Sequence, residues 1–152
     1  MLFGKRERLI RRILVVEDEP LVAFDNECLL KEAGYEVVAT VDSLAAACEV
    51  IEGEKLDLVL TDVRLNGDGD GTGVARFARE RGVAVLFVSG HCPEDAGNLA
   101  AGCLSKPYSD KILTAALDVL DRHLQGRRTK KLPSQLILFD PPRAGTASDR
   151  GS

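Results

Sequence analysis

No apolar run in this chain is long enough to cross a bilayer: the longest, such as Val83 to Val88, fall far short of the roughly 20 residues a spanning helix needs. The basic start, Met1 to Arg12, has no apolar stretch behind it of the kind a secretory signal carries. Both lacks lead to the expectation of a cytoplasmic protein with no membrane partner. No two cysteines stand at CxxC spacing, and Cys28, Cys48, Cys92 and Cys103 are scattered. That argues against a zinc site and a disulfide framework, and it predicts reduced, mostly buried thiols. Only His91 and His123 occur, so the neighbours His91-Cys92 lack the further ligands a metal site requires. A glycine-rich P-loop followed by Lys and Ser or Thr is missing as well, and with it that cradle for a nucleotide.

What is present is an ordinary globular composition: 152 residues, 45% hydrophobic and 29% charged, enough for one domain and some tail. Charge is unevenly placed. Residues 1–12 hold five Lys/Arg against one acid, and residues 126–152 hold six against two, leaving nine bases and 21 acids, or −12, in the middle. An acidic body of this kind repels a nucleic-acid backbone, so no direct nucleic-acid partner is expected. The division that follows is a basic extension over 1–11, a compact unit over 12–125 and a flexible tail over 126–152. Within the tail, Leu136-Ile-Leu-Phe139 is an apolar tetrad between Pro133 and Pro141 that could pack back on the domain or dock on another chain.

The compact unit alternates strands and helices. Arg12 to Glu17 is a β-branched run without alternation, as suits a strand buried on both faces. Pro20 opens a helix whose Leu21, Phe24, Cys28 and Leu29 recur at helical spacing up to Gly34. Tyr35–Thr40 reads as a second strand, and Ser43 caps a helix over Leu44 to about Glu52. Leu56–Thr61 reads as a third strand, followed by a Gly/Asp loop and a helix from about Thr72 to Arg81. Val83–Val88 is a fourth strand, Pro93–Ala100 a short helix, Cys103–Ser105 a fifth strand, and Tyr108 to about Gln125 the last helix. Five βα units imply an α/β fold with a doubly wound parallel sheet and helices on both faces.

In such folds ligands sit beyond the carboxyl ends of the strands. The residues just past those ends are Glu17-Asp18, Asp62, Ser89 and Lys106. Carboxylates held close together repel unless something neutralises them. A divalent hard cation does so, and magnesium takes oxygen ligands, keeps several waters and needs only one or two carboxylates. A cation with the Lys106 ammonium and the Ser89 hydroxyl is suited to a phosphoryl group, and Asp62 is the candidate acceptor, forming an acyl phosphate.

From Arg12 to Gln125 the chain resembles the receiver domain of two-component response regulators, of the single-domain, chemotaxis-regulator-like type. The likeness rests on "ILVVEDEP" with Glu17-Asp18, "LVLTDVRL" with Asp62, "LFVSG" with Ser89, and "LSKPY" with Lys106. It implies a flavodoxin-like (βα)5 sheet in the order 2-1-3-4-5 and Mg2+-dependent (or Mn2+-dependent) transfer from a histidine kinase or phosphotransfer protein onto Asp62. It further implies a metal held by Asp18, Asp62 and the backbone carbonyl of Arg64, with Glu17 assisting, and a cis Lys106-Pro107 peptide. Such a protein catalyses its own phosphorylation and slow dephosphorylation, and signals through a downstream protein target as a monomer or weak dimer.

The chain also departs from that pattern. Cys103 stands where receivers usually place an aromatic residue, so the usual switch readout is in doubt. "FVSGH" is similar to a subgroup with F-x-T-G-Y, in which His91 replaces Tyr; His91, with Arg64, either flanks the water path for hydrolysis or simply faces solvent. Asn66 replaces a common Pro. Asn66, Asp68, Asp70 and Gly71 mimic an EF-hand loop, but its twelfth position is Phe77, so calcium is not expected; the glycines are assigned to positive φ in a long turn and the aspartates to capping or solvation. Two other functions compete with this reading: a degenerate receiver that binds partners without phosphorylation, against which the intact set Glu17, Asp18, Asp62, Ser89 and Lys106 argues, and a haloacid dehalogenase-type phosphatase, which would place D-x-D at the first strand end, where Glu17-Asp18-Glu19 stands.

Overall fold

The computed structural model describes residues 7–65, 70–128 and 131–140. Along the chain run β1 (Arg12–Val16), α1 (Pro20–Glu32), β2 (Glu36–Val41), α2 (Leu44–Gly53), β3 (Leu58–Asp62), α3 (Gly71–Glu80), β4 (Ala84–Ser89), a 3-10 turn (Ala96–Asn98), β5 (Gly102–Ser105), α4 (Asp110–Leu124) and β6 (Leu136–Leu138). The sheet order is β2-β1-β3-β4-β5-β6. The first five strands are parallel, and β6 runs antiparallel to β5.

The unalternating apolar runs of β1, β3 and β4 become central strands because both faces of the sheet are covered. Successive side chains then serve opposite layers. Ile13, Val15, Leu58, Leu60, Leu86 and Val88 pack with Leu30 of α1 and with Leu113, Leu117 and Leu120 of α4. Leu14, Val16, Val59, Val85 and Phe87 pack with Ala47 and Ile51 of α2 and with Val74, Ala75 and Ala78 of α3. Among the described residues no helix is long and apolar enough to cross a membrane.

Three expectations require correction. The helix expected over Pro93–Ala100 shrinks to the 3-10 turn Ala96–Asn98. Gly97 disfavours a helix interior, and Cys92 is covalently bound to Cys103, which draws the segment back over β5 before a second turn can form. That disulfide also corrects the reading of all four cysteines as free thiols; only Cys28 and Cys48 are free. Finally, the sheet has six strands rather than five. Leu136–Leu138, inside the stretch expected to be flexible, pairs with β5, whose outer main-chain groups would otherwise form an open edge. Gly102 permits this approach, since a Cβ there would lie 3.0 Å from the Ile137 carbonyl oxygen. Phe139 donates its N–H to Ala101 and rests its ring on Gly97, and the His123 ring nitrogen lies 2.8 Å from the Phe139 carbonyl.

Residues 9–12, leading into β1, are fastened by two acids, of which Asp121 is buried. Asp121, 5% exposed, accepts the main-chain N–H groups of Leu9 at 3.1 Å and Ile10 at 2.9 Å, and also the Gln125 amide. Asp57 accepts those of Arg11 and Arg12. Asp121→Ala leaves the buried Ile10 N–H and the part-buried Leu9 N–H without this acceptor and is expected to cost about 2 kcal/mol, read as a lower urea midpoint. An unchanged midpoint would remove the latch from the stability argument.

Candidate functional site

Because β1, β3, β4 and β5 are parallel, their carboxyl ends share one edge of the sheet. There Asp18, Asp62, Arg64, Ser89, His91 and Lys106 line one open cleft of about 690 Å³. Glu17, 5% exposed, lies beside it and lines an adjoining cleft that shares Asp18. The structure therefore brings Glu17, Asp18, Asp62, Ser89 and Lys106 together, with Arg64 and His91 on the rim. Cys103 is not in the cleft lining: it is fully buried against Phe87 and Leu99, on the side of the sheet that α2 and α3 cover.

Asp62 is the centre of the local bonding. Its Oδ2 accepts the Lys106 ammonium at 2.7 Å, and its Oδ1 accepts the Arg64 main-chain N–H at 3.2 Å. Burial alone would lower the pKa of Lys106, but the hydrogen bond and charge of Asp62, with Glu17 adding, outweigh it and hold the ammonium above its usual value. Ser89 aims its hydroxyl back at its own loop, donating to the His91 carbonyl at 2.8 Å and accepting the His91 N–H at 3.1 Å. The Ser89 carbonyl in turn accepts the Lys106 main-chain N–H, fixing the end of β4 to the end of β5. The Lys106-Pro107 peptide is cis.

The acids carry more negative charge than Lys106 offsets. Burial pushes the Glu17 carboxyl up to about 7; the Glu19 N–H opposes this, Asp62 adds to it, Lys106 opposes it and Asp18 adds to it. Among the described residues no three His, Cys, Asp or Glu side chains form a complete metal cage. Magnesium does not require one, since it keeps waters and accepts one or two carboxylates with main-chain oxygens, and this crowded set of hard oxygen donors in an open cleft fits such an ion.

A pH dependence follows. In the unfolded chain Glu17 ionises near its ordinary 4.5, whereas the folded, metal-free protein resists ionisation until about 7. The contribution of Glu17 to stability is thus full below about pH 4.5, falls as pH rises between those values, and levels off above, by on the order of 3 kcal/mol. Glu17→Gln should unfold at a higher urea concentration than the parent at pH 8 in chelator and at the same concentration near pH 4. Added magnesium should narrow the gap, since a cation favours the ionised form. Equal midpoints at both pH values would remove Glu17 from the list of strained carboxylates.

Sequence reasoning missed several neighbours. The Tyr108 hydroxyl receives the Asn26 amide at 3.4 Å, and burial foremost, with Lys106 opposing and Glu17 and Asp62 adding, holds its pKa above normal. Asp70 caps α3 through the Thr72 and Gly73 N–H groups, so this aspartate of the Gly/Asp loop is a helix cap, the capping role allowed for it. Asn66, Gly67, Asp68 and Gly69 lie outside the described residues. Gly71 does not take positive φ, as had been expected of the loop glycines; it is needed for close approach, because a Cβ there would fall 1.9 Å from the Asp62 carbonyl oxygen.

Comparison with known proteins leads to the same place. Residues 13–118 match the response regulator receiver domain. The chain is 30% identical over 114 residues to the transcriptional regulatory protein PdtaR of Mycobacterium tuberculosis, covering 72% of this chain and 56% of that protein. It thus spans about half the length of the curated relatives it matches. Among solved structures, a response regulator receiver protein from Sinorhizobium medicae is 35% identical, with TM-score 0.64, over 73% of this chain and 94% of that one. The receiver domain of a sensor histidine kinase from Pseudomonas aeruginosa, with a magnesium ion coordinated in its active-site cleft, is 27% identical with TM-score 0.62, over 71% and 94%. A sheet whose acidic edge presents Asp62 to Lys106, joined to a family match across most of its length, makes this chain a member of the response regulator receiver domain family of two-component signalling.

Proposed function

We propose that Asp62 accepts a phosphoryl group from a phosphohistidine on a histidine kinase or phosphotransfer protein, and that the resulting acyl phosphate alters the surface offered to a downstream protein target. The observation that carries this is the 2.7 Å contact between Lys106 Nζ and Asp62 Oδ2 within a cleft that also contains Asp18 and Ser89. An Asp62 oxygen attacks phosphorus, the phosphorus–nitrogen bond of the donor breaks, and the imidazole leaves with its electron pair. Lys106 then follows the negative charge from the carboxylate to the phosphoryl oxygens. Ser89 supplies a further donor once its hydroxyl leaves the His91 carbonyl. Water attack on phosphorus later returns inorganic phosphate. Magnesium or manganese, held by Asp18, Asp62 and the Arg64 carbonyl with Glu17 assisting, would supply charge neutralisation and alignment. The magnesium of the Pseudomonas relative supports that assignment.

Acetyl phosphate with magnesium, followed by intact mass, tests the proposal. One added phosphoryl group is expected. No gain from acetyl phosphate or from a phosphohistidine donor would favour a phosphorylation-independent interaction module, and steady turnover of phosphate monoesters would favour a phosphatase. Lys106→Ala should bind magnesium within about threefold of the parent, because the ammonium acts on the phosphoryl group, yet should not respond to beryllofluoride in hydrogen exchange near Ser89. A parental response in that variant would count against its role.

A further inference from the structure

We propose that Cys92 and Cys103 form a redox modification site that clamps the loop after β4, so that an oxidant sets whether Ser89 can respond to a phosphoryl group on Asp62. This rests on the phosphoacceptor reading above. The two cysteines are 11 residues apart and disulfide-bonded, with 6.3 Å between their Cα atoms. Cys103 is anchored in β5, fully buried, and in register with Phe87 of β4 on one side and Ile137 of β6 on the other. Cys92 stands three residues beyond Ser89, partly buried, on the loop whose His91 carbonyl and N–H both engage the Ser89 hydroxyl.

That arrangement couples the bond to the site. The only proton of the Ser89 hydroxyl is given to the His91 carbonyl, so donation to a phosphoryl group requires the turn at 89–91 to open. Its next residue, Cys92, is tied to a rigid strand. With the bond closed, the turn is held at both ends; with the bond open, Ala96, Leu99 and Ala100 still anchor the far part of the segment in the core, but residues 90–95 keep only a few main-chain hydrogen bonds. Asp62 lies on β3, and Lys106, which follows β5 just beyond Cys103, already contacts it at 2.7 Å in the disulfide-bonded form, so phosphoryl uptake itself does not depend on opening the clamp. Cys28 and Cys48 are unpaired, which makes the pairing selective among four thiols.

Chemically, the thiolate of Cys92, the more exposed of the two, attacks a low-molecular-weight disulfide such as oxidised glutathione and displaces one glutathione thiolate. The Cys103 thiolate then attacks the Cys92 sulfur and displaces the second. Two protein thiols lose two electrons and two protons, and one small disulfide becomes two thiols. In compartments kept reducing, disulfides of this kind are transient and serve as sensors.

The test uses the full chain, reduced with a dithiol or treated with oxidised glutathione, with Cys92→Ser as the unclampable control. Alkylation under denaturing conditions should yield a Cys92–Cys103 linked peptide in the treated parent only. Both forms should gain phosphoryl mass from acetyl phosphate. On adding beryllofluoride with magnesium, amide exchange over residues 89–92 should change about tenfold in the reduced parent and in Cys92→Ser under either treatment, and less than about twofold in the oxidised parent. Full alkylation of both cysteines after glutathione disulfide, or equal loop responses in the two redox forms, would overturn the clamp while leaving the acceptor intact. Phosphoryl uptake in neither form would overturn the acceptor reading, and the gating with it.

Discussion

Asp62→Ala and Asp62→Asn are both expected to show no phosphoryl gain with acetyl phosphate and magnesium under conditions that load the parent fully. Both substitutions remove the nucleophilic oxygen, and no general base or metal can replace it, because in the proposed reaction the acyl phosphate forms on that atom. Glu17 is badly placed to substitute: it is nearly buried, one of its oxygens accepts the Glu19 N–H, and its carboxyl resists ionisation up to about pH 7. Stability should move the other way. Removing the Asp62 charge relieves repulsion on Glu17 and costs the Lys106 ion pair, but the partly exposed ammonium can turn to Glu17 or water, and Asn at this position can still accept the Arg64 N–H. The Asn variant should therefore unfold at no lower a urea concentration than the parent in chelator, so that lost uptake cannot be blamed on lost fold. Magnesium affinity should fall in parallel. With no tryptophan in the chain, calorimetry rather than intrinsic indole fluorescence is the suitable readout. Parental uptake in the Asn variant would place the acceptor elsewhere and end the assignment.

The sequence reveals the parts of this site that depend on chain order. β1, β3 and β4 are apolar runs that each end on or just before a polar residue, and a parallel sheet puts such ends on one edge. That is why chain order alone groups Glu17, Asp18, Asp62, Ser89 and Lys106. What the sequence hides depends on contact through space. Cys92 and Cys103 have no spacing signature, and they meet only because the loop after β4 folds back over β5. Leu136–Leu138 looks like a fragment of a Pro-flanked tail until the open edge of β5 and the side-chain-free Gly102 offer it a partner. Asp121 reads as one more acid in an amphipathic helix, yet it holds two main-chain N–H groups from more than a hundred residues away. In each case burial of unpaired polar or apolar groups decides the outcome, and no local propensity carries that information.

Gly71→Ala should damage the site from outside the cleft lining. The first residue of α3 lies against the peptide at the end of β3: its N–H donates to the Val63 carbonyl at 2.8 Å, and its missing side chain leaves room for the Asp62 carbonyl. A Cβ would sit 1.9 Å from that oxygen, 2.8 Å from the Asp62 carbonyl carbon and 2.8 Å from the Val63 Cα, all main-chain atoms that cannot rotate away. Relief requires moving α3 or the acceptor strand end by about 1 Å, at a cost of about 3 kcal/mol from overpacking. A displacement of that size in a reacting group lowers rates by about a hundredfold, so phosphoryl uptake should slow by that order even in molecules that remain folded. Gly53→Ala is the matched control: it closes α2 with nothing within 4 Å of the new methyl group, and it should change neither uptake nor the urea midpoint by more than about 1 kcal/mol. Uptake at the parental rate in Gly71→Ala, with its midpoint unchanged, would mean that the acceptor peptide and α3 are not in contact in solution, and the rigid placement of Asp62 would have to rest on Lys106 and Arg64 alone.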